Sequence, residues 1–356
     1  MNRKSLIIVC GTLESGGAER VISILSTPFA DTFNSVSIVT WREAPVFYNI
    51  DARIKLISLP QVAKSDNDLK KCVAFRKLIL KTRPNLILSF LTLFNLFTLT
   101  SLLGTSVPVI VAERNDPRFI KGGFLLAKIR DILYRKAKGI LCQTQSIADY
   151  FSGSLKNKCH IIYNPVSMAA AEIGMALDAP KKKRIVSVGR LHPQKNHKLL
   201  IDAFKIFHNI HPEYMLTIYG KGELEDETRD YIKTQNLEKC VELAGEKQNV
   251  KDLIVDAKAF VLTSRYEGMP NALIEAMCLG IPCVSTKVSG AVDLITHKIN
   301  GLLVDDNPND VSNAISAIID DEFSSKKMGI EGAKIYSKLN VNAISKSWIE
   351  YLESIY

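Results

Sequence analysis

The sequence predicts an α/β fold of two doubly wound, parallel-sheet domains, and three observations carry that expectation. Apolar runs of strand length alternate with helical stretches from end to end, the pattern that strands joined by crossover helices produce. At 356 residues the chain exceeds one ordinary domain of roughly 100–200 residues. Charge divides unevenly: residues 1–165 carry 23 Lys and Arg against 11 Asp and Glu, a net +12, whereas residues 166–356 carry 23 against 26, a net −3. A basic first half points to an anionic partner for that half alone.

Taken in order, a strand over 5–10 runs into Gly11-Thr12-Leu13-Glu14-Ser15-Gly16-Gly17-Ala18-Glu19-Arg20. Paired glycines at a strand-to-helix turn let a ligand approach the backbone closely. No G-x-G-x-x-G is present, so a dinucleotide site is not supported. Further strands are expected near 36–40, 54–59, 86–91, 107–112, 139–143 and 159–162. Residues 86–104 hold no charge, yet Asn95, Thr98, Thr100 and Ser101 interrupt the apolar run. A strand and a buried helix fit it better than a membrane span, which needs ~20 predominantly apolar residues.

Asp66-Asn67-Asp68 has the form of a D-x-D metal motif, but it opens a helix, where such residues cap. Glu113-Arg114-Asn115-Asp116-Pro117 follows a strand, at the end where open α/β sheets place ligands. Arg114 and Asn115 are therefore candidates for contacting a ligand. Residues 118–138 gather Arg118, Lys121, Lys128, Arg130, Arg135, Lys136 and Lys138 against Asp131 alone. Leu125, Leu126, Ile129, Ile132 and Leu133 share a helical face there. The stretch reads either as a sheet-covering helix with a solvated basic back or as a patch for anionic lipid headgroups.

Asn164-Pro165 closes the first domain, set at 1–166, and the small, poorly periodic residues 167–183 read as a linker. The second domain is set at 184–338. The basic run 181–184 has no aromatic stacking pattern beside it and makes no nucleic-acid site. Gly189-Arg190-Leu191-His192-Pro193-Gln194-Lys195-Asn196-His197 opens a helix expected over 195–210. His192, His197, His208 and His211 lack zinc spacing with Cys or acid partners and read as cap and surface residues. A strand over 214–219 turns at Gly220-Lys221-Gly222-Glu223.

The stretch that organises the chain follows a buried strand at 259–263: Ser264-Arg265-Tyr266-Glu267-Gly268-Met269-Pro270-Asn271-Ala272-Leu273-Ile274-Glu275-Ala276-Met277-Cys278-Leu279-Gly280-Ile281-Pro282. Gly268 and Pro270 break the chain, and 271–279 reads as a helix closed by Gly280. Such a loop aims orphan amides at one spot and favours an anion there. Glu267 and Glu275 would repel that anion, so hydroxyls suit them better. A site that binds a diphosphate and also grips sugar hydroxyls is what a sugar nucleotide requires.

This string, with seven residues between Glu267 and Glu275, resembles the donor-site signature of retaining glycosyltransferases of family four. Gly189 to Lys195, with Arg and Lys spaced by five, matches their second signature. The resemblance is strong over 184–304 and weaker over 1–165. It implies the GT-B fold, two Rossmann-like domains facing across a cleft, the first for the acceptor and the second for the donor. A C-terminal helix, 339–356, is implied to cross back to the first domain. By the same resemblance, Arg190 and Lys195 hold the donor diphosphate, Glu267 the transferred sugar and Glu275 the ribose. Gly16, Gly17, Gly189, Gly220, Gly268, Met269, Pro270, Asn271, Ala272 and Leu273 surround the donor, and Glu19 joins Arg114 and Asn115 on the acceptor side. Ser289-Gly290-Ala291-Val292-Asp293 departs from the family's Gly-Gly-x-x-Glu. Fixed cations stabilise a departing diphosphate without a metal, so no metal or other cofactor is expected beside the nucleoside-diphosphate sugar, for which UDP is the expected nucleotide.

The expected activity is transfer of a hexose or N-acetylhexosamine to a growing polyprenyl-diphosphate-linked glycan of surface-polysaccharide synthesis. The enzyme is expected in the cytoplasm, held at the inner face of the cell membrane by residues 118–138, with no nucleic-acid partner. Two alternatives stand beside it: a nucleotide-sugar 2-epimerase on the same fold, and a non-catalytic nucleotide-sugar-binding partner of another transferase. The seven cysteines lack a C-x-x-C pair and read as buried free thiols in a reducing compartment. The apolar run 6–10 is too short for a signal-peptide core of roughly 7–15 residues.

Overall fold

The computed structural model describes residues 4–120 and 122–355. The chain forms two compact units, Met1–Ser167 with Val341–Tyr356, and Met168–Asn340. In the first unit β1 (Ser5–Cys10), β2 (Ser35–Thr40), β3 (Lys55–Ser58), β4 (Leu86–Phe90), β5 (Val109–Glu113), β6 (Gly139–Cys142) and β7 (Cys159–Ile161) form one sheet in the order β3-β2-β1-β4-β5-β6-β7. In the second, β8 (Lys182–Val188), β9 (Met215–Tyr219), β10 (Val241–Gly245), β11 (Ala257–Leu262), β12 (Cys283–Thr286) and β13 (Leu302–Val304) run in the order β10-β9-β8-β11-β12-β13. Both sheets are parallel throughout, from β1–β2 and β1–β4 to β8–β9, β8–β11 and β12–β13. Strand order reverses beside β1 and beside β8, the switch points at which such sheets bind ligands.

Burial on both faces explains the near-continuous apolar strands: every residue of β4, β5, β6 and β12 is buried. The uncharged stretch after Pro84 forms β4 and the helix Thr92–Ser101, and several of its polar side chains have internal partners. Asn95 donates to the Ala112 carbonyl (3.2 Å) and the Tyr134 hydroxyl (2.9 Å), and Ser89 meets Thr98 at 3.1 Å. No helix among the described residues is long and apolar enough to cross a membrane. Asn67 caps the helix Asp68–Thr82, its side chain accepting from the Leu69 and Lys70 amides, and Asp68 is bound by Trp41 and Lys71.

The structure departs from the sequence reading at several places. Residues 170–178, read as linker, form the helix Ala170–Asp178, which buries Ile173 and Ala176 and packs on the helix Glu322–Ala333. The helix expected from 195 begins at His197, because Pro193–Lys195 is a 3-10 turn and Asn196 lies in the left-handed region (φ 51°). Of the histidines placed at caps and surface, His192 does cap that turn, but His197 is buried and His208 and His211 stack on Phe204 and Phe207. All seven cysteines are free, five of them buried.

The C-terminal helix Val341–Glu353 belongs to the first unit. Trp348 is fully buried between Phe29 and Phe90, with ring centroids at 6.2 and 5.9 Å. Tyr351 stacks on His160 at 4.3 Å and lays its hydroxyl over Gly139, where a Cβ would come within 1.9 Å of it.

Candidate active site

In the second unit the carboxyl ends of β8 and β11 lead into two loops that lock together. The turn after β8 carries Arg190, Gln194 and Lys195, and the loop after β11 carries Ser264 and Glu267. Lys195 Nζ donates to Glu267 Oε1 at 2.5 Å, and Ser264 Oγ donates to the same oxygen at 2.7 Å. Lys195 and Glu267 keep only 17% and 8% of their side chains exposed. The loops are sewn further by Thr263 Oγ1, which donates to the Lys195 and Asn196 carbonyls at 3.2 Å each, and by the Arg265 amide, which donates to the Gln194 carbonyl at 2.8 Å. Two residues assigned from sequence to different parts of a donor are thus ion-paired with each other. Burial, with the Lys195 charge nearby, pushes the adjacent His197 imidazole down to about 4, so it is neutral at physiological pH.

Glycines set the backbone around this pair. Lys195 lays its stem across Gly189, where a Cβ would lie 3.1 Å from the lysine Cδ. Gly220 (φ +145°) packs against the Gly189 carbonyl so closely that a Cβ would fall 2.0 Å from it, so its role in the structure is to seat the Arg190 turn. A Cβ on Gly290 would fall 2.3 Å from the Gly268 carbonyl. The close approach needed at the Ser289-Gly290 pair therefore rests on its second residue, which accounts for the tolerance of serine at 289.

Arg190 is exposed, whereas Glu275 is buried on the helix Asn271–Cys278. Met269 and Pro270 are buried and Asn271 and Ala272 half-buried at the start of that helix. Leu273 differs from its expected role: its side chain is fully buried and its amide donates to the Pro270 carbonyl, so it supports the loop from behind. Gln194 and Ser264 were missed by sequence reasoning. Gln194 stands directly before Lys195, and Ser264 stands three residues before Glu267 at a strand end; those positions were the available signal.

Residues 175–335 match the family model described as glycosyl transferases group 1. A Campylobacter jejuni subsp. jejuni serotype O:2 protein named as a GalNAc-alpha-(1->4)-GalNAc-alpha-(1->3)-diNAcBac-PP-undecaprenol alpha-1,4-N-acetyl-D-galactosaminyltransferase is 25% identical over 98% of this chain and 98% of its own. A second protein of that organism, an N-acetylgalactosamine-N,N'-diacetylbacillosaminyl-diphospho-undecaprenol 4-alpha-N-acetylgalactosaminyltransferase, is 29% identical over 96% and 97%. Over residues 175–335, within the second unit, the chain belongs to the group 1 glycosyltransferases. Among solved structures, Anabaena HepE in complex with UDP and glucose superimposes with a TM-score of 0.80 at 18% identity, covering 98% of this chain and 99% of that one. Sucrose-phosphate synthase from Thermosynechococcus elongatus gives 0.84 at 17% identity, covering 99% of each. The fold is GT-B.

In this glycosyltransferase the first-unit candidates prove unequal. Gly16 is the extended N-cap of the helix Gly17–Thr32, and the Glu19 carboxylate folds over it, 2.1 Å from where a Gly16 Cβ would stand. Arg114 is buried rather than presented to a ligand. It donates to Asn164 Oδ1 at 2.6 Å, and its guanidinium lies 5.5 Å from the Phe90 ring centre. Gln143, with its amide oriented to satisfy both ends, donates to the Arg114 carbonyl (2.8 Å) and accepts from its guanidinium (3.1 Å). Burial pulls the Arg114 guanidinium down to about 9, opposed by the Glu19 charge. Asn115 is exposed. Next to Arg114, burial pushes the Glu113 carboxyl up against hydrogen bonds from Tyr134 and Thr92.

The basic stretch also needs correction. Arg130 is fully buried, paired with Asp131 and donating to the Tyr150 hydroxyl, and Lys121 lies outside the described residues. Lys128, Arg135, Lys136 and Lys138 are exposed. The helix Gly123–Tyr134 turns Leu126 and Leu133 to the core, but leaves Phe124 75% and Leu125 70% exposed, with Ile129 and Ile132 beside them. The apolar face read as one stripe is two.

Proposed function

We propose that this glycosyltransferase moves a hexose or N-acetylhexosamine from a UDP-sugar, with retention of configuration and without a metal, to a polyprenyl-diphosphate-linked glycan of surface-polysaccharide synthesis. The observation that carries the proposal is the loop pair in which Lys195, Glu267 and Ser264 meet beside the exposed Arg190. When a sugar leaves a nucleoside diphosphate, negative charge grows on the diphosphate. Preorganised cations lower that barrier because they are in place before the charge forms. Arg190 and Lys195 fill this role; Glu267 takes hydroxyls of the sugar, and Glu275 those of the ribose. The names of the two Campylobacter relatives support the lipid-linked acceptor.

The test supplies purified enzyme with UDP-glucose, UDP-galactose, UDP-GlcNAc and UDP-GalNAc, each with and without an undecaprenyl-diphosphate-linked glycan. Transfer of one sugar with an α linkage is the expected product. Epimerised or free sugar released equally with and without acceptor would replace the proposal with the 2-epimerase reading.

The exposed apolar and basic sides of the helix Gly123–Tyr134 support peripheral binding to an anionic leaflet at the inner face of the cell membrane. On this reading the exposed Phe124 and Leu125 enter the interface while the exposed Lys128, Arg135 and Lys136 meet headgroups. Each such cation contributes about 1 kcal/mol near an anionic surface. Binding to anionic vesicles should fall with salt, and the triple variant Lys128→Glu, Arg135→Glu, Lys136→Glu should no longer sediment with them while still hydrolysing donor. Equal sedimentation of variant and wild type at low salt would leave the basic charge to solubility and point to a soluble acceptor.

A further inference from the structure

We propose that Gln194 is a positioning residue of the donor site, one that holds Glu267 in place independently of Lys195. The inference rests on the donor reading above and adds a residue that reading does not use. Gln194 is 7% exposed, on the 3-10 turn Pro193–Lys195, with its own amide fixed by His192 Nδ1 at 3.1 Å. Both of its ends face the opposite loop. Its carbonyl accepts from the Arg265 amide at 2.8 Å, and its side-chain Nε2 donates to the Tyr266 carbonyl, also at 2.8 Å. The Tyr266 carbonyl belongs to the peptide plane that begins Glu267, so anchoring it fixes the direction in which Glu267 leaves the backbone. The same Nε2 lies 3.5 Å from Glu267 Oε2, too far for a full hydrogen bond but close enough to favour the carboxylate electrostatically.

A site that uses Lys195 on a diphosphate requires this second support. In the structure Lys195 is spent on Glu267 Oε1. Its ammonium has three donors on a flexible stem and can turn to a diphosphate or share itself with one. Once its attention is divided, a carboxylate held by Lys195 alone would swing. Ser264 retains one oxygen, and Gln194 retains the peptide plane and sits beside the other oxygen. Lys195 can therefore pass to the departing diphosphate without displacing Glu267 from the sugar.

The test uses the full chain with Gln194→Ala, Gln194→Asn and Gln194→Glu. Two readouts need no acceptor: UDP affinity and hydrogen exchange over residues 264–268. A third is turnover of the UDP-sugar that the wild type accepts. In Gln194→Ala, exchange over 264–268 should rise about tenfold and turnover should fall ~10-fold or more, since small misplacements of reacting groups cost rate steeply. UDP affinity should stay within about threefold, because Arg190 and Lys195 remain. Gln194→Glu should do at least as badly as alanine, since it sets a second carboxylate against Tyr266 and Glu267, and Gln194→Asn should fall between. Unchanged exchange in Gln194→Ala overturns the proposal whatever the activity, and so does a parallel loss of UDP affinity and turnover, the mark of a merely structural role. If the wild type bound no UDP, the donor reading would fail by itself, and the exchange data would still decide whether Gln194 holds the loop.

Discussion

Lys195→Ala should lower turnover by about 10²–10³, the scale seen when one preorganised donor to a developing anion is removed. It should also lower stability by about 3 kcal/mol, because it leaves the Glu267 carboxylate desolvated and without its cation. Both side chains of the pair are largely withdrawn from solvent, and Ser264 alone remains on the shared oxygen. Arg190→Ala is the contrast. Its side chain is exposed, so the loss in turnover should be similar with the urea midpoint unmoved. Turnover above a third of wild type in Lys195→Ala would remove the lysine from the chemistry. An unchanged midpoint would show that the pair adds nothing to the fold.

The second large effect should separate the two glutamates. Glu267→Gln keeps the shape of the side chain but loses the charge that Lys195 neutralises, and it weakens the grip on a sugar whose charge changes during transfer. Turnover should fall on the order of 10²-fold with a small change in KM. Glu275→Gln removes a partner of the ribose, which is bound alike in ground and transition states, so KM should rise about tenfold and kcat should hardly move. Steady-state kinetics on the preferred donor distinguish the patterns. Equal rises in KM for both variants, with kcat unaltered, would show that the roles are wrongly assigned.

Much of this was legible in the sequence because parallel sheets leave long apolar runs, and because the two donor-loop strings are dense in glycine and proline at fixed spacing. The strands expected near 5–10, 36–40, 54–59, 86–91, 107–112, 139–143, 159–162, 214–219 and 259–263 fell within a few residues of those places, whereas β13 was not anticipated; Asn67 was readable as a cap from its position before a helix. What stayed hidden depends on the third dimension. Nothing in the spacing of Lys195 and Glu267 announces an ion pair across two loops. Arg130 and Lys128 look alike in sequence; only packing against Tyr150 and Phe151 buries the first, while the second stays out over Phe124. Arg114 was singled out for its place at a strand end, but the Asn164 and Gln143 that hold it lie on later segments that no local pattern connects. The helix Ala170–Asp178 was missed because its alanines and glycine carry little periodicity, although Ile173 and Ala176 suffice to seat it.

Thermal denaturation against a panel of nucleotides tests most directly the claim that the second unit holds a nucleoside-diphosphate donor through Arg190, Lys195, Glu267 and Glu275. UDP at 100 times its dissociation constant should stabilise the wild type by ~2.7 kcal/mol. At that same UDP concentration the stabilisation should be largely lost in the Arg190→Ala, Lys195→Ala double variant. Stabilisation that persisted undiminished in the double variant, or its absence with every nucleotide, would contradict the account.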